Sequence, residues 1–121
     1  MVAFAVPEEY REHLPTKSAH AALCPACLAF QTVDGAPADP RFDRISGAFP
    51  DYPDGAVPLA IAIGLLDSLA LHREDIEALL GAAERAGVDP FLVLDRLHAG
   101  GGVQPHFDVD RRRHQLQQLL D

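Results

Sequence analysis

Two cysteines stand two residues apart in the run Cys24-Pro25-Ala26-Cys27. Thiolates at this spacing can grip one metal ion from a single tight turn, and a structural zinc site takes four ligands, usually from two such turns. The chain has 2 cysteines in all, so Cys24 and Cys27 amount to half of a ligand set. His20, four residues upstream of Cys24, is the candidate third ligand, and His13 is a more distant fourth. The alternatives are a second copy contributing its own pair, or ligands carried ahead of Met1. As a redox pair, the same residues would need Cys24 at a helix amino terminus, where the dipole lowers a thiol pKa. They would also need a strand–helix–strand setting that the flanking sequence does not supply. The plainest reading is two small buried side chains with no chemistry.

Other constellations are weaker. Arg111-Arg112-Arg113-His114 is the one basic cluster. It suits an anion or nucleic-acid contact, but ion pairing with the many aspartates accounts for it more simply. His106, Asp108 and Asp110 alternate in a way that suits a divalent cation, yet aspartates at that position also cap a helix. Asp67, Ser68 and His72 have the residue types of a hydrolytic triad, but no Gly-x-Ser-x-Gly turn surrounds the serine. Ala83 to Phe91 has the outline of a helix-turn-helix. Its second helix offers Asp89, Asp95 and Arg96 among apolar residues, a poor set for reading base edges. A chain with 10 basic and 18 acidic residues, net −8, also lacks the positive patch that supplies most nucleic-acid affinity.

The elements that must position these residues can be read from pattern. Val2 to Val6 has strand composition. Pro7 followed by Glu8, Glu9 and Glu12 predicts a short helix ending before Pro15. Leu28 to Val33 is a second strand, so two strands flank the cysteine turn. From Asp34 to Pro58 proline, aspartate and glycine dominate, which predicts a linker or an ordered loop without regular structure. Phe42, Ile45, Phe49 and Tyr52 recur in it, so it should lie on the core. Pro58 opens a helix to His72 that is apolar nearly all round, as expected for a buried or interface helix. A second helix carries Ile76, Leu79, Leu80 and Ala83 on one face and stops at Gly87. Asp89-Pro90 starts a third, with Phe91, Leu92, Val93, Leu94 and Leu97 as its apolar set and Gly100-Gly101-Gly102 as its stop. Asp108 or Asp110 caps a last helix through Leu116, Leu119 and Leu120.

At 121 residues and 48% hydrophobic content, the chain is long enough for one domain with a core. Its longest apolar run, Ala56 to Leu66, is too short to cross a membrane, which needs about 20 residues. No targeting segment is visible, so the expected location is the cytoplasm. Lys17 is the only lysine, and aspartate outnumbers glutamate. Such a surface suits a salt-saturated cytoplasm, where screening removes long-range repulsion. A GC-rich genome produces the same bias.

Several runs carry a resemblance across the whole length. They are Val2 to Pro7, Ala22-Leu23-Cys24-x-x-Cys27-Leu28, Gly64 to Leu71, Ala83 to Pro90 and Leu94-Asp95-Arg96-Leu97. In these the chain resembles a family of small uncharacterised proteins of haloarchaea. The resemblance implies a halophilic cytoplasm and a zinc-ribbon-like unit opened by a Cys-Pro-x-Cys-Gly turn just before the strand matched by Val2 to Val6. This sequence starts after that turn, so two of the implied zinc ligands are not in it. No activity is implied.

The expectation is therefore a mostly α fold. Residues 1–34 form a partial zinc-ribbon-like unit of two strands, a short helix and the cysteine turn. Residues 35–57 form the loop, and residues 58–121 a bundle of about four helices, all within one compact domain. The expected function is a non-enzymatic binding or adaptor protein, with zinc as a structural metal on an incomplete site. Its partner would be another protein or a second copy of the chain, rather than nucleic acid or a membrane. The alternatives are a thiol redox enzyme and a nucleic-acid binder.

Overall fold

The structure is a computed structural model, and it describes residues 1–99 and 104–120. Among the described residues the fold is mostly helical, with four α-helices and a small antiparallel sheet near the amino end. The sheet has three strands, β1 (Val2–Ala5), β2 (His20–Leu23) and β3 (Phe30–Thr32), in the order β1-β2-β3. In β1, Val2 and Phe4 are buried and alternate with more exposed residues, the mark of a strand covered on one side. In β2, Ala21, Ala22 and Leu23 are all buried. Successive side chains of a strand point to opposite faces, so the middle strand is covered on both.

The sequence pattern misses β2. Alanine is a poor strand former, and a strand buried on both faces loses the polar–apolar alternation that would reveal it. Pairing with both neighbours decides the matter: Ala3 and Phe4 face Ala22 and Ala21, and Ala22 faces Gln31. The cysteine turn thus joins β2 to β3 at one end of a three-stranded sheet. The short helix expected after Pro7 is a 3-10 helix, Glu8–His13.

The proline-rich stretch lies on the core, as its aromatic residues predict. Phe42, Ile45 and Phe49 are 2%, 2% and 6% exposed. Phe42 sits 5.6 Å from the Phe4 ring and stacks at 6.1 Å on Phe49. The stretch is not free of regular structure, since Phe42–Arg44 forms a 3-10 turn. Tyr52 is more exposed, but its hydroxyl donates to the Ala86 carbonyl at 2.7 Å.

The first helix, α1, runs Pro53–Leu65 and continues into a 3-10 turn, Leu66–Ser68. It therefore starts five residues earlier than expected and ends sooner. Pro53, not Pro58, takes the first-turn position, where a missing N–H costs nothing. Pro58 sits inside the helix, where it leaves the Asp54 carbonyl without its usual helical donor. Every residue from Gly55 to Ile63 is buried, as is Leu65. The apolar circumference of α1 is thus covered by its own chain, by the sheet and by α2 (Arg73–Arg85).

Helix α2 buries Ile76, Leu79, Leu80 and Ala83, the face that the spacing predicts. Its end is a Schellman motif: Gly87 N–H donates to the Glu84 carbonyl and Val88 N–H to that of Ala83. Gly87 adopts φ +94°, which is why glycine stands there. Helix α3 (Pro90–Ala99) is capped by Asp89, whose Oδ1 accepts from Leu92 N–H at 3.2 Å. Val93, Leu94 and Leu97 are buried, while Leu92 is exposed. The expected stop at Gly100 to Gly102 lies outside the described residues. Helix α4 (Val109–Leu120) is capped by Asp108, which accepts from Arg111 N–H at 3.0 Å. One contiguous apolar core runs from Val2 through Phe42 and α1 to Leu116.

Candidate metal centre

The residues from Cys24 to Leu28 form a closed turn. Cys24 N–H donates to the Ala29 carbonyl at 2.8 Å, and Leu28 N–H returns to the Cys24 carbonyl at 2.9 Å. This geometry requires Leu28 to take φ +65°, the left-handed region that a bulky residue seldom enters. Its side chain is fully buried, so apolar packing holds the backbone in that state. The strain is about 1–2 kcal/mol, of the same order as the roughly 1.5–3 kcal/mol that burying a leucine contributes.

The turn brings the two sulfurs together and polarises one of them. Both thiols are free and partly buried. The backbone amides of Cys27 and Ala26 hydrogen-bond the Cys24 sulfur and hold its pKa below the ordinary thiol range, and the Cys27 side chain adds to this. Converging backbone amides form an anion-binding nest of the kind that favours a thiolate. The amino-terminal ammonium also lowers the Cys24 pKa, as the register explains: Val2 is paired with Leu23, which sets Met1 beside Cys24. No helix begins at Cys24, so the polarisation comes from the turn and not from a helix dipole.

Two thiolates fit half of a tetrahedral zinc set. Among the described residues, no group of three His, Cys, Asp or Glu side chains is placed to hold one ion. His20 opens β2, and four residues of extended chain set its Cα about 13 Å from that of Cys24. His13 lies elsewhere, with its Nδ1 at 2.8 Å from Asp75 Oδ1.

A second segment braces the turn. Gln104 N–H donates to the Ala26 carbonyl at 2.7 Å, and His106 N–H to the Cys27 carbonyl at 2.9 Å. No sequence signal announced this clasp, because each bond joins backbone groups far apart in the chain.

The chain belongs to the family of unknown function DUF6276. The family model matches residues 1–120. No curated protein and no solved structure matches the chain. Membership agrees with the expected uncharacterised family and transfers no activity.

The remaining candidate residues fall into place around this frame. In the basic cluster, Arg113 Nε donates to Asp95 Oδ1 at 2.9 Å, and its guanidinium lies 5.1 Å from the Phe91 ring centroid. Arg112 bonds Gln115, and His114 Nδ1 lies 2.8 Å from the Asp110 carbonyl. Asp108 and Asp110 therefore serve α4, while His106 turns toward Asp67 at 3.9 Å. Asp67, Ser68 and His72 do meet, not as a triad but on the rim of a cleft that also receives His106. Sequence reasoning placed these residues in two unrelated motifs. Only the fold joins them.

Proposed function

We propose that this is a non-enzymatic binding protein of a halophilic cytoplasm, in which Cys24 and Cys27 are half of a structural zinc site. One observation carries the reading. Leu28 is held in a left-handed conformation by burial of its side chain, and the resulting turn directs two amides at the Cys24 sulfur. A pair of thiols with no chemistry would not call for that arrangement. The pairing of Val2 with Leu23 suggests where the other half fits: a thiol pair attached ahead of Met1 would run alongside Cys24. A second copy of the chain could supply an equivalent pair. The aspartate-rich, lysine-poor surface supports the halophilic setting.

Zinc content separates the possibilities. The chain from Met1, and the chain extended by its in-frame upstream codons, are each expressed with zinc and compared by mass spectrometry under native conditions. The reading expects zinc on the extended chain, or one ion shared by two copies of the shorter one, with loss of the ion on Cys24→Ser. If neither form retains zinc and neither loses stability on chelation, the reading fails.

The lowered Cys24 pKa favours a second reading, a thiol redox protein. It expects a reversible Cys24–Cys27 disulfide whose reduction potential lies within the range of the cellular thiol pool. The nucleic-acid reading has less support, because Arg113 is committed to Asp95 and Phe91.

A further inference from the structure

The cleft beside the cysteine turn is lined by side chains that are not proposed as zinc ligands. Its volume is about 270 Å³, and Phe30 and Leu65 form much of its apolar wall. The wall depends on Gly64, because a side chain there would collide with the Phe30 ring. The 3-10 turn after α1 brings Asp67 and Ser68 to the rim, and His72 follows just before α2. His106 arrives from the other side, positioned by its backbone bond to Cys27. Four polar side chains, three from the turn after α1 and one from the segment before α4, thus converge on one hollow walled in part by Phe30 and Leu65.

The charge balance decides what such a hollow would hold. His72 leans toward Asp75 at 3.9 Å, but Asp75 already bonds His13 at 2.8 Å. Asp67 has one charged neighbour among the described residues, His106, and at 3.9 Å it is beyond hydrogen-bond reach. The Asp67 carboxylate is 46% exposed. The cleft therefore holds a carboxylate whose nearest charged partner, His106, stands off at 3.9 Å, in a molecule of net charge −8. Its volume lies just below the roughly 300–1,000 Å³ of drug-sized pockets, which limits the occupant to about one ring and a short arm.

From this we infer that the cleft is a binding site for a small organic cation with an apolar body, an arylalkylamine in chemical class. The ammonium pairs with Asp67 and hydrogen-bonds Ser68, while the body rests on Phe30 and Leu65. Three isosteric probes test this at pH 7.5 by amide NMR titration of the whole chain: phenethylamine, 2-phenylethanol and phenylacetate. The amine is expected to bind with a Kd of about a millimolar and to shift the amides of residues 64–72 and 104–106. The alcohol should bind more weakly and the acid weakest. Asp67→Asn should weaken the amine by on the order of tenfold and leave the alcohol unchanged. Equal binding of all three probes would overturn the assignment, and so would shifts confined to other surfaces or an Asp67→Asn chain that binds the amine as before. The ranking of the three probes needs only the unaltered protein. The zinc experiment can fail without touching this result, because Asp67 is not a proposed zinc ligand.

Discussion

Leu28 sets two forces against each other at a single residue. Glycine would remove the 1–2 kcal/mol of backbone strain, but it would also empty a fully buried leucine site. Leucine truncations in cores cost about 3–5 kcal/mol. The net expectation for Leu28→Gly is a loss of about 2 kcal/mol, read as a lower urea midpoint at unchanged slope. A gain in stability would mean that the side chain is not what holds the turn. Cys24 makes a separate prediction. Its pKa is lowered, so alkylation by iodoacetamide should reach half its maximal rate at a lower pH than for a thiol in an unfolded peptide, about 8.5. Because the folded value is the lower one, the amide nest stabilises the fold fully only above the unfolded thiol pKa. That contribution fades as the pH falls through the folded value. Identical profiles for Cys24 and the peptide would remove the nest from the account.

At the scale of elements, the contact between α1 and β3 runs through Gly64 and Phe30. Gly64→Ala ordinarily helps a helix by about 1 kcal/mol. Here the new methyl meets the Phe30 ring, and overpacking costs about 1–3 kcal/mol. The expected result is a net loss of up to about 2 kcal/mol by thermal melting, with weaker amine binding as the cleft wall shifts. A stabilised Gly64→Ala chain would show that Phe30 moves aside freely. Local signals of this kind explain which elements were legible in the sequence. The caps Asp89 and Asp108, the stop at Gly87 and the buried face of α2 depend on neighbouring residues, and each stands where pattern places it. The start of α1 was not legible, because two prolines five residues apart both suit a first turn and only packing selects Pro53. Strand β2 was hidden because alanines, poor strand formers, fill its middle, whereas β1 carries valine and phenylalanine. Of the candidate metal centre, the thiol pair was plain, while the left-handed Leu28 and the clasp from Gln104 and His106 arise from tertiary contacts that no spacing encodes.

For the molecule as a whole, charge and core pull in opposite directions. One apolar core gathers residues from the sheet, the proline-rich loop and all four helices, while a net charge of −8 on 121 residues repels itself across the surface. Raising KCl from 10 mM to 1 M shrinks the screening length from about 30 Å to 3 Å. The expected gain is about 1 kcal/mol, or a rise of a few degrees in the melting midpoint. A flat or falling midpoint would remove the salt-adapted setting from the functional proposal. The backbone bonds from Gln104 and His106 to the Ala26 and Cys27 carbonyls add a constraint in time. A ribosome makes the thiols early and their brace late, so the loop between β2 and β3 has to wait, half supported, for the approach to the final helix. Whatever those sulfurs ultimately hold, the grip would tighten only once the stretch around Gln104 and His106 has been released.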